Sequence, residues 1–278
     1  MLVGLLMLGG GVAAGAFGSL LGLGGGVLIV PLLTLGFGLP LREAVGVSLI
    51  CVIMTSSAAA GVYLERHVAN LRLGMTLELF TAIGALVGGS IAFLLSERLL
   101  SLLFAILLLY TAAAMARGRR VESDLGPDPD PDPPAAIDSE PPAQRTALER
   151  LSGDGYRVRN LGRGVVGATG AGIVSALLGI GGGTIKVPLM HLAMGVPLRV
   201  ATATSNMMIG ITAAASAVIY VIHGGIDPYV AGPTAIGVFV GATAGSRLSH
   251  RVNVRYLRLL FVVVLVYTAL QLLLRVVA

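Results

Sequence analysis

Residues Gly22 to Pro31 read GLGGGVLIVP, and 157 residues later Gly179 to Pro188 read GIGGGTIKVP. The offset holds without a gap. Pro40-Leu41-Arg42 answers Pro197-Leu198-Arg199, Ser48 answers Ser205, Tyr63 answers Tyr220, Gly84 answers Gly241, and Tyr110-Thr111 answers Tyr267-Thr268. From Gly15 to Thr111 roughly a third of positions match, at a period too long for a solenoid and suited to a duplicated domain. The chain is thereby held to two related units, 1–116 and 161–278, with residues 117–160 between them.

Apolar residues make up 55% of the chain and charged residues 12%, with a mean hydropathy of +0.90. Continuous apolar stretches of this length call for a bilayer rather than a soluble core. They run without the every-second-residue alternation of an outer-membrane barrel, so the class is an all-α polytopic membrane protein. Nine of the fourteen acids lie in residues 121–160, and the basic residues are nearly all arginines at the ends of apolar stretches. That pattern reads as topology signalling and headgroup contact. Dispersed basic residues without aromatic neighbours give nucleic acid no site. Cys51 is the single cysteine, so no intramolecular disulfide can form. The apolar start of the chain resembles a signal-peptide core, but it lacks a basic leader and continues into the repeat, so it reads as retained structure.

Apolar segments fall at 1–21, 27–39, 41–62, 73–95, 99–116, 161–178, 184–196, 198–222, 228–246 and 254–276. The segments after each glycine run are too short to cross and read as half-spans, with Pro31 and Pro188 in their first turns, where a missing N–H costs little. Arg117, Arg119 and Arg120 put the linker in the cytoplasm, and Arg247, Arg251, Arg255 and Arg258 put the loop at 247–258 there too. Threading the spans between these anchors makes 161–196 a hairpin that enters and leaves on one side, and 1–39 a hairpin on the opposite side. The expected topology is two inverted repeats, each a glycine-broken helical hairpin plus three transmembrane helices. Both termini then lie on the periplasmic or extracellular face. Arg66, His67 and Arg72 fall inside, whereas Arg98 falls outside beside Glu97. The linker alternates Asp and Pro from Pro127 to Pro134 and reads as a solvated tether.

Gly-x-Gly-Gly-Gly ahead of a short helix brings bare backbone close to a ligand and exposes the first amides of the helix. Broken backbone at membrane depth survives only where it lines a cavity or is buried in protein. Two inverted copies would aim two helix starts at a small anion, although glycines also serve tight helix packing. Lys186, the only lysine, follows the second glycine run and stands opposite Ile29 of the first. At that depth it must be paired, neutral or facing water, or snorkel to the surface. Ser48, Ser205 and Asn206 are candidate donors to an oxyanion, with Thr55, Thr202, Thr204 and Thr212 nearby, and all are also ordinary interhelical glue. Arg42 and Arg199 read as span-end arginines at the headgroups. Glu78 lies inside a span and is matched by Ala235; it could exchange protons, pair with an arginine or reach the interface. His191 and His223 are too isolated for a metal, and neither a phosphate-binding loop nor a nucleophile–base pair is visible. Catalysis, metal and cofactor are not expected.

Two halves that each open with Gly-x-Gly-Gly-Gly-x-x-x-Val-Pro, then Pro-Leu-Arg and a hydroxyl-bearing helix, resemble the TauE/SafE family of sulfite and organosulfonate exporters. The resemblance covers both halves and omits the acidic linker. It implies a secondary transporter that moves a small sulfur-containing anion across the inner membrane by alternating access, most simply outward, with a proton or sodium ion as coupling partner. The implied glycine-site residues are Gly22, Gly24, Gly25, Gly26, Gly179, Gly181, Gly182 and Gly183. With Cys51 alone, thiosulfate passage along a relay of cysteines is not expected. The alternatives are an importer of the same fold and a membrane-embedded scaffold or assembly protein, for which broken half-spans serve no purpose. Oligomeric state is not legible.

Overall fold

The computed structural model describes residues 2–20, 25–65, 69–124, 151–152, 156, 158–248 and 254–277. Among these the chain forms ten helices. The first half contributes α1 (Leu2–Leu20), α2 (Gly26–Pro31), α3 (Leu41–Glu65), α4 (Leu71–Leu94) and α5 (Glu97–Asp124). The second contributes α6 (Leu161–Leu178), α7 (Gly183–Pro188), α8 (Leu198–Ile222), α9 (Pro228–Leu248) and α10 (Val254–Val277). Helices α1, α3, α4, α5, α6 and α8 each contain a stretch long and apolar enough to cross a membrane. The fold is all-helical, as composition requires.

Helix α4 shows how the bilayer shapes these elements. Its outward stripe of Met75, Leu79, Ile83 and Leu86 is exposed, while Leu77, Glu78, Thr81, Gly84, Ala85 and Gly88 are buried. Large side chains face lipid, and small or polar ones face protein, where they can find partners. Helix α5 runs to Asp124, about two turns beyond the expected end at residue 116.

The short helices depart from expectation in one respect. Pro31 and Pro188 do not sit in first turns; each is the last residue of its six-residue α-helix, and a π turn follows at once, Leu32–Gly36 and Leu189–Ala193. Proline has no N–H for the carbonyl four residues back, and its ring crowds that carbonyl. The wider turn absorbs the missing bond.

The halves interleave. Helix α1 packs on α9 and α4 packs on α6, while α3 meets α8 and α5 meets α10. An offset of 157 maps this set of pairings onto itself. Glycines permit the close crossings: a Cβ on Gly84 or Gly88 would overlap the carbonyls of Thr169 or Ile173, and one on Gly241 or Gly245 would meet those of Val12 or Ala16, the equivalent positions. Helices α3 and α8, which are equivalent, run antiparallel. Gly46 of α3 lies against Tyr220 of α8, whereas Ser56 lies against Gly210 and donates to the Asn206 carbonyl at 2.6 Å.

The end of the expected tether is docked rather than solvated. Leu151, Tyr156 and Val158 pack with Leu73, Leu77, Met190, Met194 and Met208. Asn70 Nδ2 donates to the Leu151 carbonyl at 2.8 Å and to Tyr156 Oη at 2.6 Å, and Arg159 N–H donates to the Met194 carbonyl at 3.0 Å. Three apolar side chains in a polar segment supply the contact. The Asp-Pro run lies outside the described residues.

The crossing of α4 and α6 gives a direct test. A side chain on Gly172 would meet the Thr81 carbonyl, whereas Gly170 on the same helix faces open space. Gly172→Leu should lower the melting temperature in detergent by the equivalent of about 1–3 kcal/mol or more. Gly170→Leu should leave it within error. Equal melting temperatures would show that close packing at Gly172 is dispensable.

Candidate functional site

The two glycine turns meet inside the bundle. Gly25 and Gly182, equivalent positions, both take the left-handed conformation, at φ 74° and 76°, immediately before the start of α2 and α7. Gly179 and Gly181 are left-handed as well, at φ 69° and 78°, a region that residues with a Cβ seldom adopt. The first half abuts the second here: a Cβ on Gly26 would lie 2.6 Å from the Gly179 carbonyl oxygen and 2.6 Å from Val52 Cγ2. Ser48 Oγ donates to that same Gly179 carbonyl at 2.7 Å, with the Gly26 carbonyl 3.2 Å away. Its single proton is thus committed to holding the turns together. Ser48, an expected anion donor, spends that proton in this structure on stapling the two turns. Gly22 and Gly24 lie outside the described residues.

Its counterpart Ser205 is placed differently. Ser205 is fully buried, its hydroxyl has no hydrogen-bond partner among the described residues, and it lies 3.8 Å from where a Gly183 Cβ would stand. Ser175 on α6, equivalent to Gly18, is also buried and unpartnered, with its Cβ 3.3 Å from the Gly182 Cβ position. Orphaned hydroxyls are uncommon in protein interiors, and two beside one glycine turn mark this place out. Ser175 was missed from sequence because serine in an apolar helix reads as glue. Asn206 is buried at the next position, and its backbone carbonyl accepts from Ser56.

Beside the second turn lies the one ion pair among the described residues. Lys186 Nζ is 3.1 Å from Glu78 Oε2 and also donates to Thr212 Oγ1, which in turn donates to Glu78 Oε1 at 2.6 Å. Lysine and glutamate are 1% and 3% exposed. Lys186 therefore does not snorkel, and Glu78 pairs with a lysine on α7 rather than with an arginine. A carboxylate opposes the ammonium, so the pair adds no net charge to the site. Pairing is what burial demands, since desolvating each ion costs several kcal/mol. The sequence did hold a signal: two intramembrane charges of opposite sign are both missing from the other copy, at Ile29 and Ala235.

The remaining candidates serve the framework. Thr55 Oγ1 donates to the Val52 carbonyl, Thr202 Oγ1 donates to the Leu198 carbonyl, and Thr204 Oγ1 accepts from Asn70 N–H. Arg42 donates to the Leu95 carbonyl at 2.8 Å and lies 5.4 Å from the centre of the Phe93 ring, so it caps the end of α4. The side chain of Arg199 lies outside the described residues. His191 and His223 each contact a local backbone carbonyl, and no group of metal-binding side chains occurs among the described residues.

Known proteins place the chain. The model of the family described as sulfite exporter TauE/SafE matches residues 7–272. The chain is 24% identical over 270 residues to the probable membrane transporter protein YunE of Bacillus subtilis, covering 94% of each. It is 24% identical to the probable membrane transporter protein MJ0441 of Methanocaldococcus jannaschii, over 90% of this chain and 88% of that one. A shorter match, 30% identical over 110 residues, joins 37% of the chain to 17% of the probable membrane transporter protein MamO of Magnetospirillum gryphiswaldense. No solved structure matches. With nearly the whole chain matched by the family model and full-length relatives named as transporters, the chain belongs to the sulfite exporter TauE/SafE family of membrane transporters.

Proposed function

We propose that this chain is a secondary transporter that carries a small sulfur-containing oxyanion, sulfite or an organosulfonate, outward across the inner membrane by alternating access. The observation that carries the reading is the second glycine turn, where Ser175 and Ser205 present buried, uncommitted hydroxyls beside Gly182 and Gly183. Hydroxyl donors suit an oxyanion and give a cation only their lone pairs. The family description supplies the sulfur chemistry and the direction.

Alternating access is supported by the way the halves pack. Equivalent helices α3 and α8 run antiparallel, as they must if the repeats are inverted. Two inverted units around a shared contact can exchange conformations, which opens the site first to one side and then to the other. In this reading the linker is cytoplasmic, both termini lie on the far side, and Gly25, Gly26, Gly179 and Gly181–Gly183 form the backbone of the pathway.

The two equivalent serines separate binding from scaffolding. Ser205→Ala should raise the substrate constant for sulfoacetate or sulfite in liposomes by roughly 10- to 150-fold, the range for a charge-assisted hydrogen bond of about 1.5–3 kcal/mol. Its melting temperature should not fall, because the hydroxyl bonds nothing in the fold. Ser48→Ala should instead lower stability by about 1 kcal/mol through loss of the bond to Gly179. If Ser205→Ala transports with unchanged affinity, the second turn is not the anion site. In the same vesicles the wild-type chain should move these anions and exclude alkali and amino-acid cations; cation flux without anion flux would rule the reading out.

A further inference from the structure

The Glu78–Lys186 pair is not a requirement of the architecture. The corresponding positions of the other half, Ala235 and Ile29, sit in helices packed in the corresponding way and carry no charge. Nor is stability a sufficient reason for it, because the cost of desolvating two ions offsets most of their attraction. Three elements meet to build it: α4 gives Glu78, α7 gives Lys186 and α8 gives Thr212.

Its location is informative. The Gly182 Cβ position lies 3.4 Å from Lys186 Cε and 3.3 Å from Ser175 Cβ, so the ammonium stem and an unpartnered hydroxyl flank one glycine. Other titratable groups are engaged or distant. Arg72 on α4 and Arg163 on α6 are exposed. His191 after α7 and His223 just past the end of α8 contact the Val196 and Ile219 carbonyls. Among the described residues only Lys186 forms an ion pair with Glu78.

An anion arriving at this site meets a neutral pair. Binding would leave one uncompensated negative charge in an apolar interior, which is costly. A proton on Glu78 removes that obstacle. Resting on the transport reading above, we propose that Glu78, Lys186 and Thr212 form the coupling site, at which one proton taken up by Glu78 releases the Lys186 ammonium to the substrate oxyanion, so that proton and anion cross together, outward when the anion's own outward gradient exceeds the opposing proton gradient. The buried charge is then zero in both states: ammonium with carboxylate when empty, ammonium with a monovalent anion when loaded. Thr212 makes the exchange local. Its hydroxyl now donates to Glu78 Oε1; once the carboxyl is protonated, the same oxygen can accept the new O–H. On the far side Glu78 gives up its proton, the carboxylate reclaims Lys186, and the anion leaves.

The test uses the full-length chain in liposomes with labelled methanesulfonate, a monovalent sulfonate that does not titrate between pH 5 and 8, and with the membrane potential clamped. An interior one pH unit more alkaline should drive about tenfold accumulation, since one pH unit is a factor of ten in proton activity. A trapped pH indicator should report one proton entering per anion. Glu78→Gln should abolish this accumulation. Should that single variant fold poorly because Lys186 is left unpaired, Glu78→Gln/Lys186→Gln removes both charges, keeps hydrogen-bonding side chains, and should also fail to accumulate the anion. Accumulation by the double variant, or wild-type uptake driven by sodium or by anion exchange without proton movement, would overturn the coupling while leaving anion transport intact. A wild-type chain inert toward methanesulfonate, sulfoacetate and sulfite would remove both readings together.

Discussion

Among the described residues the two glycine motifs leave helical geometry at Gly25 and at Gly179–Gly182, and the fold has to supply there what the helix no longer does. No water stands in for a lost partner at membrane depth. The solution is mutual burial: each turn sits against protein, and the Gly179 carbonyl takes its hydrogen from Ser48 of the other half. That bond ties the halves where the two turns meet. The glycine-lined crossings of α1 with α9 and α4 with α6 bring the remaining helices close enough for the turns to meet. Large aliphatic side chains would hold the broken hairpins apart.

Much of this was legible because the bilayer simplifies the sequence. Ten apolar segments became ten helices, and the two short ones, counted with their π turns, ended at Gly36 and Ala193, a few residues short of the expected 39 and 196. Glycine in the positive-φ region explains both motifs. What was not legible depended on contacts between distant segments. Nothing in the spacing of Glu78 and Lys186, 108 residues apart, announces a bond, although their shared absence from the other copy was available to be noticed. Ser48 and Ser205 look interchangeable in sequence, and only packing separates a staple from an uncommitted hydroxyl. Proline misled for a different reason: a first turn tolerates it at little cost, but a π turn can also absorb its missing N–H, and sequence alone does not choose.

Duplication and divergence have divided the labour. The features shared by both halves are architectural: the left-handed glycines before α2 and α7, the prolines at the π turns, and the close helix crossings. The features found in one half alone are chemical. Ser175, Lys186 and the free hydroxyl of Ser205 gather at the second turn, and Glu78 reaches across from the first half to join them. The equivalent of Ser175 is Gly18, and that of Lys186 is Ile29.

In the proposed cycle, a pair of inverted units needs symmetry only in its shape. Interchange of two conformations requires that each half be able to adopt what the other has just left, and matched packing surfaces provide that. Substrate recognition has no such requirement. A site that bound equally through both halves would have to move two sets of polar groups in and out of burial at every cycle, each with its own desolvation cost. Confining the charges to one turn leaves a single polar group to be compensated, and Glu78 compensates it from the opposing half. The ion pair joins Glu78 of the first half to Lys186 of the second, so in the proposed cycle a proton on Glu78 also removes an electrostatic contact between the halves. In the proposed cycle, loading the site and freeing the halves to move are one electrostatic event.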